Sequence, residues 1–326
     1  MLRKPVLLIV SPASRAANNG NWRTADRWSR FLRARYHVDV VTGWTADAPP
    51  PDCMFALHAR RSAAALASFA EAHPDRARVL VLTGTDLYRD IAVDPSATRS
   101  LDLATHLVVL QDAGHEAIDP RHRDKCRVIY QSAPARTAAV RRTRTFDVVL
   151  VGHMRAEKDP LTPMRALQRL PADSSVRLVH IGDALDDAYA RAARELQAAT
   201  SRYRWLGARA HGETRRRIAQ AQAMVVSSVI EGGANVIVEA VTSGVPVVAS
   251  RIPGNIGMLG AAYDGYFTPG DDLGLAALLA RMASDPSFRA HLAAQCATRA
   301  PLFDPAREAV EVNRVADDAV AWRPMR

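Results

Sequence analysis

The feature that most constrains the fold of this chain is a regular alternation of short apolar runs with longer amphipathic stretches. Apolar runs of this length are typical of buried strands, so the sequence predicts strand–helix–strand units on parallel sheets. The alternation stops once, at the polar and basic stretch 133–145, and then restarts. At 326 residues the chain also exceeds one ordinary domain. We therefore expect two α/β domains joined by a linker.

The expected elements fall into two sets. In the first half, strands are predicted at 6–10, 38–42, 79–83, 106–110 and 127–130, with helices over 22–36 and 62–73. In the second half, strands are predicted at 146–152, 176–182, 202–207, 223–228, 245–250 and 265–268, with helices over 160–170, 186–199, 212–221, 235–243 and 272–283. The expected division is an N-terminal domain over 1–135, a linker over 136–145, a second domain over 146–304 and a C-terminal helix over 305–326 that can pack back on the N-terminal domain.

The stretch EGGANVIVEA, residues 231–240, carries two carboxylates, Glu231 and Glu239, on either side of a Gly-rich turn and an apolar segment. A Gly-rich turn that leads into a helix presents backbone N–H groups where a phosphate can be held. Carboxylates beside such a turn can bind sugar hydroxyls. The stretch therefore indicates a sugar-nucleotide site, and the alternative is a surface loop and a helix with two solvated acids.

A second stretch, GHMRAEKDP at 152–160, directly follows a predicted strand. It places Arg155 and Lys158 at the carboxyl end of that strand, where Arg can bind a phosphate in a fork and Lys can neutralise it as a point charge. Lys158 is one of only three lysines in the chain. A solvated loop with charges of both signs is the alternative interpretation.

In the first half, two polar loops follow predicted strands and are candidates for an acceptor site. One surrounds Asn18 and opens into a helix near Trp22 or Arg23, and the other is TGTDLYRD at 83–90. Loops of this kind offer backbone N–H groups and Arg to an anion, and Asp86 could orient a hydroxyl or a nucleophile. An ordinary N-cap turn and an unexplained surface loop are the alternatives. The candidate acceptor residues are Gly20, Asn21, Arg23, Thr85, Asp86 and Arg89.

Composition limits the class of partner. The net charge of +9 suits nucleic acid, an anionic membrane or phosphorylated small molecules. No nucleic-acid module accompanies the basic clusters, so a non-catalytic nucleic-acid-binding protein stays a distant alternative. No stretch approaches the ~18 apolar residues of a membrane span. The three cysteines show no paired spacing, which indicates reduced core thiols in a cytoplasmic protein.

The stretches GHMRAEKDP and EGGANVIVEA together resemble the donor-site motifs of family 4 retaining glycosyltransferases of the GT-B fold, over most of residues 146–300. The resemblance implies two Rossmann-like domains facing a central cleft. Where typical members carry Asn-Gly after the strand at 127–130, this chain has Gln131-Ser132-Ala133. By this resemblance the donor diphosphate is bound by Arg155, Lys158 and the amides of Gly232, Gly233 and Ala234, the transferred sugar by Glu231 and Asn235, and the ribose by Glu239; the catalytic residues are Glu231, Arg155 and Lys158.

The segments NNGNWRTA, LTGTDLYRD and VVLQDAGHEAI together resemble the selenosugar synthases of selenoneine biosynthesis, a branch of the same superfamily. This resemblance implies transfer of GlcNAc or Glc from a UDP-sugar to selenophosphate, giving a 1-seleno sugar, UDP and phosphate. We expect no metal or cofactor, because Arg and Lys can stabilise the leaving diphosphate and no convincing D-x-D motif is present. The alternative within the fold is a transferase acting on a sugar, lipid or small-molecule hydroxyl. Only small-molecule partners are expected, without nucleic acid or membrane.

Overall fold

The computed structural model describes residues 3–17, 19–136 and 144–324. The chain divides into two compact units. The first unit contains the residues up to Gln131 and those from Pro305 onward, and the second contains Ser132–Asp304. Most of the stretch expected to be a linker, and Asn18 of the first candidate loop, lie outside the described residues. Each unit has its own parallel sheet with helices, so the α/β class expected from the sequence is confirmed.

The first unit is built on a six-stranded parallel sheet in the order β2-β1-β3-β4-β5-β6. The strands are β1 Val6–Val10, β2 His37–Val41, β3 Cys53–Leu57, β4 Ala77–Val81, β5 His106–Val109 and β6 Cys126–Val128. The helices before residue 131 are α1 Gly20–Leu32, α2 Ala63–Ala72, α3 Ile91–Val93, α4 Pro95–Leu103, α5 Asp112–Ala117 and α6 Pro120–Arg123.

Strand β3 was not predicted, and it lies in the middle of this sheet between β1 and β4. All five of its residues are buried, so both faces are covered and the run shows no polar alternation. Its Cys, Met and Ala residues are also not the β-branched residues that signal a strand. Strand β4 begins two residues earlier than expected, which leaves Leu82 and Thr83 in the following loop.

The second unit contains another six-stranded parallel sheet, in the order β12-β11-β10-β7-β8-β9. All of its strands were expected, with ends that differ by a few residues. They are β7 Phe146–Val151, β8 Val176–Ile181, β9 Tyr203–Trp205, β10 Ala223–Val226, β11 Val247–Ser250 and β12 Tyr266–Phe267. The helices are α7 Leu161–Arg169, α8 Asp187–Ala199, α9 His211–Gln220, α10 Asn235–Val241, α11 Pro253–Leu259, α12 Asp272–Ser284 and α13 Pro286–Arg299.

The C-terminal helix α14, Pro305–Ala321, belongs to the first unit. Its buried Glu308 accepts hydrogen bonds from Trp28 Nε1 and from Arg27 Nε on α1, each 2.7 Å long. Val312 and Val315 of α14 are buried in the same core as Trp28. A carboxylate is costly to bury without partners, so these two donors fix α14 against α1 in one register.

In each sheet the strand order changes direction at one place. The chain proceeds outward from β1 to β2 and then returns to β3 on the other side of β1; it likewise proceeds from β7 to β9 and returns to β10 beside β7. Ligands of open α/β sheets bind at the carboxyl ends of the strands that flank such a switch point. Ligand-binding residues are therefore expected in the loops after β1, β3, β7 and β10.

Candidate functional site

In the second unit, the loop after β7 forms one side of the switch point. Gly152 directly follows the strand and packs closely against Gly182, because a Cβ added at Gly182 would lie only 1.9 Å from the Gly152 carbonyl oxygen. The loop then makes a short 3₁₀ turn over Ala156–Lys158 and reaches Asp159 in the left-handed region, with φ of 41°. The Asp159 carboxylate caps α7 by accepting from the Thr162 amide at 3.2 Å and the Thr162 hydroxyl at 2.6 Å.

The loop after β10 holds this turn in place. The Ser227 hydroxyl lies 3.0 Å from the carbonyl oxygen of Lys158 and 2.8 Å from that of Asp159. The Val229 amide donates to the carbonyl oxygen of Glu157 at 2.9 Å. Because these contacts join the two loops through their backbones, the position of Lys158 relative to Glu231 is set by the sheet.

Lys158 and Glu231 meet directly. The Lys158 Nζ atom lies 2.5 Å from Oε1 of Glu231, and the Ser228 hydroxyl donates to the same oxygen at 2.5 Å. The Glu231 side chain is 10% exposed and that of Lys158 is 24% exposed, so the ammonium keeps a path to solvent. Arg155, at the start of the turn, is 40% exposed in its side chain, and its Nε is 3.9 Å from Glu157. The loop therefore carries one cation held against Glu231 and a second, more exposed one.

Gly232, Gly233 and Ala234 follow Glu231 and lead into α10, which begins at Asn235. Within the described ranges, the amides of these three residues make no hydrogen bond. Gly232 and Ala234 are buried, while Gly233 and Asn235 are half-buried. Three consecutive unused amides beside the Lys158 ammonium are suited to anionic oxygens.

Glu239 lies one helical turn further along α10 and is 7% exposed. Its Oε1 lies 2.6 Å from Nε2 of His211, the first residue of α9, whose side chain is 46% exposed. The sequence analysis missed His211, because 28 residues separate it from Glu239 and nothing in its local sequence marks it. The pair presents an imidazole and a carboxylate together, which is a suitable surface for vicinal hydroxyl groups.

Buried His180 forms a hydrogen bond with the loop after β7. Its Nε2 lies 3.3 Å from the Gly152 carbonyl oxygen, which can only accept, so Nε2 donates and Nδ1 accepts from the Tyr203 hydroxyl at 3.1 Å. Burial lowers the pKa of His180 to about 4. His180 is therefore neutral near neutral pH, and its tautomer is determined by these two contacts.

In the first unit, the loop after β1 leads into α1, which begins at Gly20, two or three residues earlier than expected. Asn19 caps this helix by accepting from the Trp22 amide at 3.2 Å. Gly20 is exposed, and Asn21 and Arg23 are half-buried. The three candidate residues of this loop thus occupy the first turn of the helix, at the carboxyl end of β1.

The loop after β4 contains the other acceptor candidates, and Asp86 has a different role from the one expected. Asp86 is completely buried, and its carboxylate accepts from the amides of Ala59, Thr83 and Gly84 at 2.8–2.9 Å. These contacts hold the loop after β3 against the loop after β4. Since its oxygens are used in this way, the geometry does not support Asp86 as the group that orients an acceptor. Thr85 is half-buried.

The loop after β3 contributes Arg60 and Arg61, which the sequence analysis missed, and Arg60 pairs with Asp90 of the loop after β4. Asp90 is buried and pairs with Nε of Arg60 at 2.8 Å and with Nε of Arg89 at 3.1 Å. Burial by itself raises the pKa of Asp90, but the hydrogen bonds and positive charges of the two guanidinium groups together hold it below its ordinary value. Arg61 is exposed, and its guanidinium makes no ion pair or hydrogen bond among the described residues. Because the sequence did not predict β3, it also did not predict that HARRS, residues 58–62, lies at this edge of the sheet.

No metal site or membrane segment is evident in the described ranges. Their His, Cys, Asp and Glu side chains form no group of three or more that could hold a metal ion. No helix in the same ranges is long and apolar enough to cross a membrane. The three cysteines are buried and unpaired with each other.

Comparison with known proteins shows a family similarity in the second unit and the fold of the whole chain. Residues 145–285, which include both loops at the second switch point, match the family model described as Glycosyl transferases group 1. The two parallel sheets, each with its helices, define the GT-B fold, and the match places the group 1 glycosyltransferase similarity in the second unit. The chain is also similar over most of its length to solved structures of glycosyltransferases. No curated protein sequence matches the chain.

Three solved structures illustrate this similarity. The Anabaena protein Alr3699/HepE in complex with UDP-glucose has a TM-score of 0.77 and 18% identity, covering 96% of this chain and 100% of that chain. The sucrose-phosphate synthase of Thermosynechococcus elongatus has a TM-score of 0.76 and 15% identity, covering 97% and 99%. The lipopolysaccharide outer core galactosyltransferase WaaB has a TM-score of 0.68 and 15% identity, covering 94% and 99%. These likenesses establish the GT-B fold.

Proposed function

We propose that the protein transfers a hexose from a UDP-sugar, with the donor bound at the switch point of the second unit. The observation that carries this proposal is the Lys158 ammonium, fixed 2.5 Å from Glu231 beside the three unused amides of Gly232, Gly233 and Ala234. A diphosphate needs such a concentration of positive charge and N–H donors. The crystallised HepE complex with UDP-glucose, on the same fold, supports this choice of donor.

The same groups act on the leaving group. As the bond between the anomeric carbon and the β-phosphate oxygen breaks, the electron pair leaves with UDP and negative charge develops on the diphosphate. Lys158, Arg155 and the three amides stabilise that charge, so no metal is required in this proposal. Glu231 holds the ammonium in place through one oxygen, and its other oxygen can bind a sugar hydroxyl beside Asn235.

For the nucleoside, we assign Glu239 and His211 to the ribose. Their 2.6 Å contact places the carboxylate and the imidazole at adjoining positions, about one helical turn beyond the diphosphate loop. Glu239 accepts from a ribose hydroxyl while His211 keeps the carboxylate oriented. This assignment gives the donor three separate anchors, at the diphosphate, the sugar and the ribose.

For the acceptor, we propose selenophosphate, bound in the first unit. The support is the resemblance of LTGTDLYRD to selenosugar synthases and the exposed Arg60, Arg61 and Arg89 at the carboxyl ends of β3 and β4. Selenium attacks the anomeric carbon and forms the C–Se bond as UDP leaves. Water then adds to phosphorus, the P–Se bond breaks with its electrons on selenium, and a 1-seleno sugar and inorganic phosphate are produced.

Mass spectrometry of the reaction tests the proposal directly. Purified protein is incubated with UDP-GlcNAc or UDP-glucose and freshly prepared selenophosphate, with each substrate omitted in turn. A product with the selenium isotope envelope, together with UDP release that requires both substrates, is the expected result. Release of UDP with a hydroxyl acceptor but never with selenophosphate would contradict the acceptor and retain the donor. Absence of turnover with every UDP-sugar would contradict the donor assignment as well.

A further inference from the structure

His58, in the first unit, combines deep burial with an unusual backbone conformation. It follows β3 directly, is 2% exposed, and has a φ of 74°, in the left-handed region that residues other than Gly rarely adopt. The next loop, after β4, contains a single π-helical turn over Asp86–Asp90. Left-handed backbone at a residue with a Cβ and π-helical turns both have a conformational cost, and both are concentrated at functional sites.

The hydrogen bonds of His58 define its tautomer. The Arg61 amide donates to Nδ1 at 3.3 Å, so Nδ1 accepts and the ring proton is on Nε2. Nε2 lies 3.0 Å from the Thr85 hydroxyl oxygen, to which it therefore donates. No other described residue is bonded to the Thr85 side chain, so the hydroxyl hydrogen remains available. The strained backbone at His58 is what aims the ring at Thr85.

We infer that His58 is a positioning residue that fixes the Thr85 hydroxyl as a hydrogen-bond donor to a phosphate oxygen of the anionic acceptor. The inference rests on the proposed function, because it takes the edge of this sheet as the acceptor site. The neighbouring charges agree with an anionic ligand: the carboxylates of Asp86 and Asp90 are buried and satisfied by amides or guanidinium groups, while Arg61 faces outward. A donor hydroxyl and an unused guanidinium at the same edge of the sheet are both suited to phosphate oxygens.

Two substitutions at His58 separate this role from a structural one. In His58→Asn, Oδ1 replaces Nδ1 as acceptor for the Arg61 amide, and Asn tolerates the left-handed region, but the Nε2–H donor is lost. In His58→Gln, the side-chain amide nitrogen reaches the Nε2 position and restores the donor. Thr85→Val removes the hydroxyl itself with little change of shape. His106→Asn is the matched control. Thr105 and His106 also make a threonine–histidine contact, 2.9 Å long, but it lies at the amino end of β5, away from the loops after β3 and β4.

The probe is thiophosphate, whose binding to the purified full chain is measured by calorimetry and needs no turnover. Thr85→Val is expected to raise the dissociation constant by about 10- to 100-fold, because a hydrogen bond to a charged group is lost. His58→Asn should weaken binding several-fold, His58→Gln should restore it, and His106→Asn should have no effect. In the Thr85→Val background, His58→Asn should add nothing. The KM for the UDP-sugar should stay the same in all variants.

The inference is overturned if wild-type protein binds no thiophosphate, if His58→Asn and Thr85→Val are additive, or if His58→Gln binds as weakly as His58→Asn. Turnover of selenophosphate by the wild-type protein is recorded separately. Thiophosphate binding with the expected pattern but without selenoglycoside formation would retain the role of His58 and reject the proposed reaction. Formation of the selenoglycoside with an unchanged KM for selenophosphate in Thr85→Val would retain the proposed reaction and reject the role of His58 and Thr85 in binding the acceptor.

Discussion

Replacing Lys158 by Met removes the ammonium that lies 2.5 Å from Glu231 and leaves a carboxylate that is 10% exposed without its cation. Removing one partner of a fully buried ion pair costs about 3–5 kcal/mol of unfolding free energy. Because the Lys158 side chain is 24% exposed, water already screens part of the interaction, and we expect a smaller loss, about 2–3 kcal/mol. Urea unfolding followed by circular dichroism measures this loss.

The same substitution should lower kcat by about 10²–10³-fold with a UDP-sugar, because one positive charge is missing when the diphosphate leaves. The double variant Lys158→Met with Glu231→Gln separates stability from chemistry, since neutral Gln no longer suffers from the missing cation. We expect it to regain much of the stability and none of the activity. Recovery of activity together with stability would refute the reasoning, because it would show that Lys158 acts only through folding.

Arg177→Met is the matched control for this experiment. Arg177 pairs with Asp147 at 2.9 Å in the same unit, near the amino ends of β7 and β8 and away from the switch-point loops. Its side chain is more exposed than that of Lys158, so a smaller loss of stability is expected. The kcat should be unchanged. A fall in kcat comparable to that of Lys158→Met would mean that any broken ion pair in this unit impairs turnover.

Three further results are expected. Burial lowers the pKa of His180 to about 4, so the unfolded chain binds the extra proton first as the pH falls. The contribution of His180 to the free energy of unfolding should be constant above about pH 6.5 and decrease by about 3 kcal/mol between pH 6.5 and 4. Urea unfolding at a series of pH values measures this decrease, which should be absent in His180→Gln. His211→Ala should raise the KM for the UDP-sugar about tenfold by releasing Glu239, without changing the KM of the acceptor. Glu308→Ala leaves the buried Trp28 Nε1 without an acceptor and should lower the free energy of unfolding by about 3–5 kcal/mol, and a loss below about 1 kcal/mol would contradict this account of α14.

The sequence predicted the second unit better than the first. Strands β7 to β12 were all recognised, because their apolar runs are bounded by Gly, polar turns and helices with clear periodicity. Strand β3 was missed, since a strand covered on both faces has no alternation, and with it the loop that carries His58, Arg60 and Arg61. The role expected for Asp86 depended on its being accessible, and the local sequence gave no sign that three amides from two loops bury it.

The sequence by itself determined the α/β class, the division into two sheets and the two stretches around Lys158 and Glu231, because apolar period, turn residues and local charge are properties of short segments. Only the tertiary structure decided which loops meet. The contact of Lys158 with Glu231, that of Glu239 with His211, and that of His58 with Thr85 each join segments 27 or more residues apart. Such contacts depend on strand order at the switch points, which arises from the packing of whole sheets and is not encoded in any one segment.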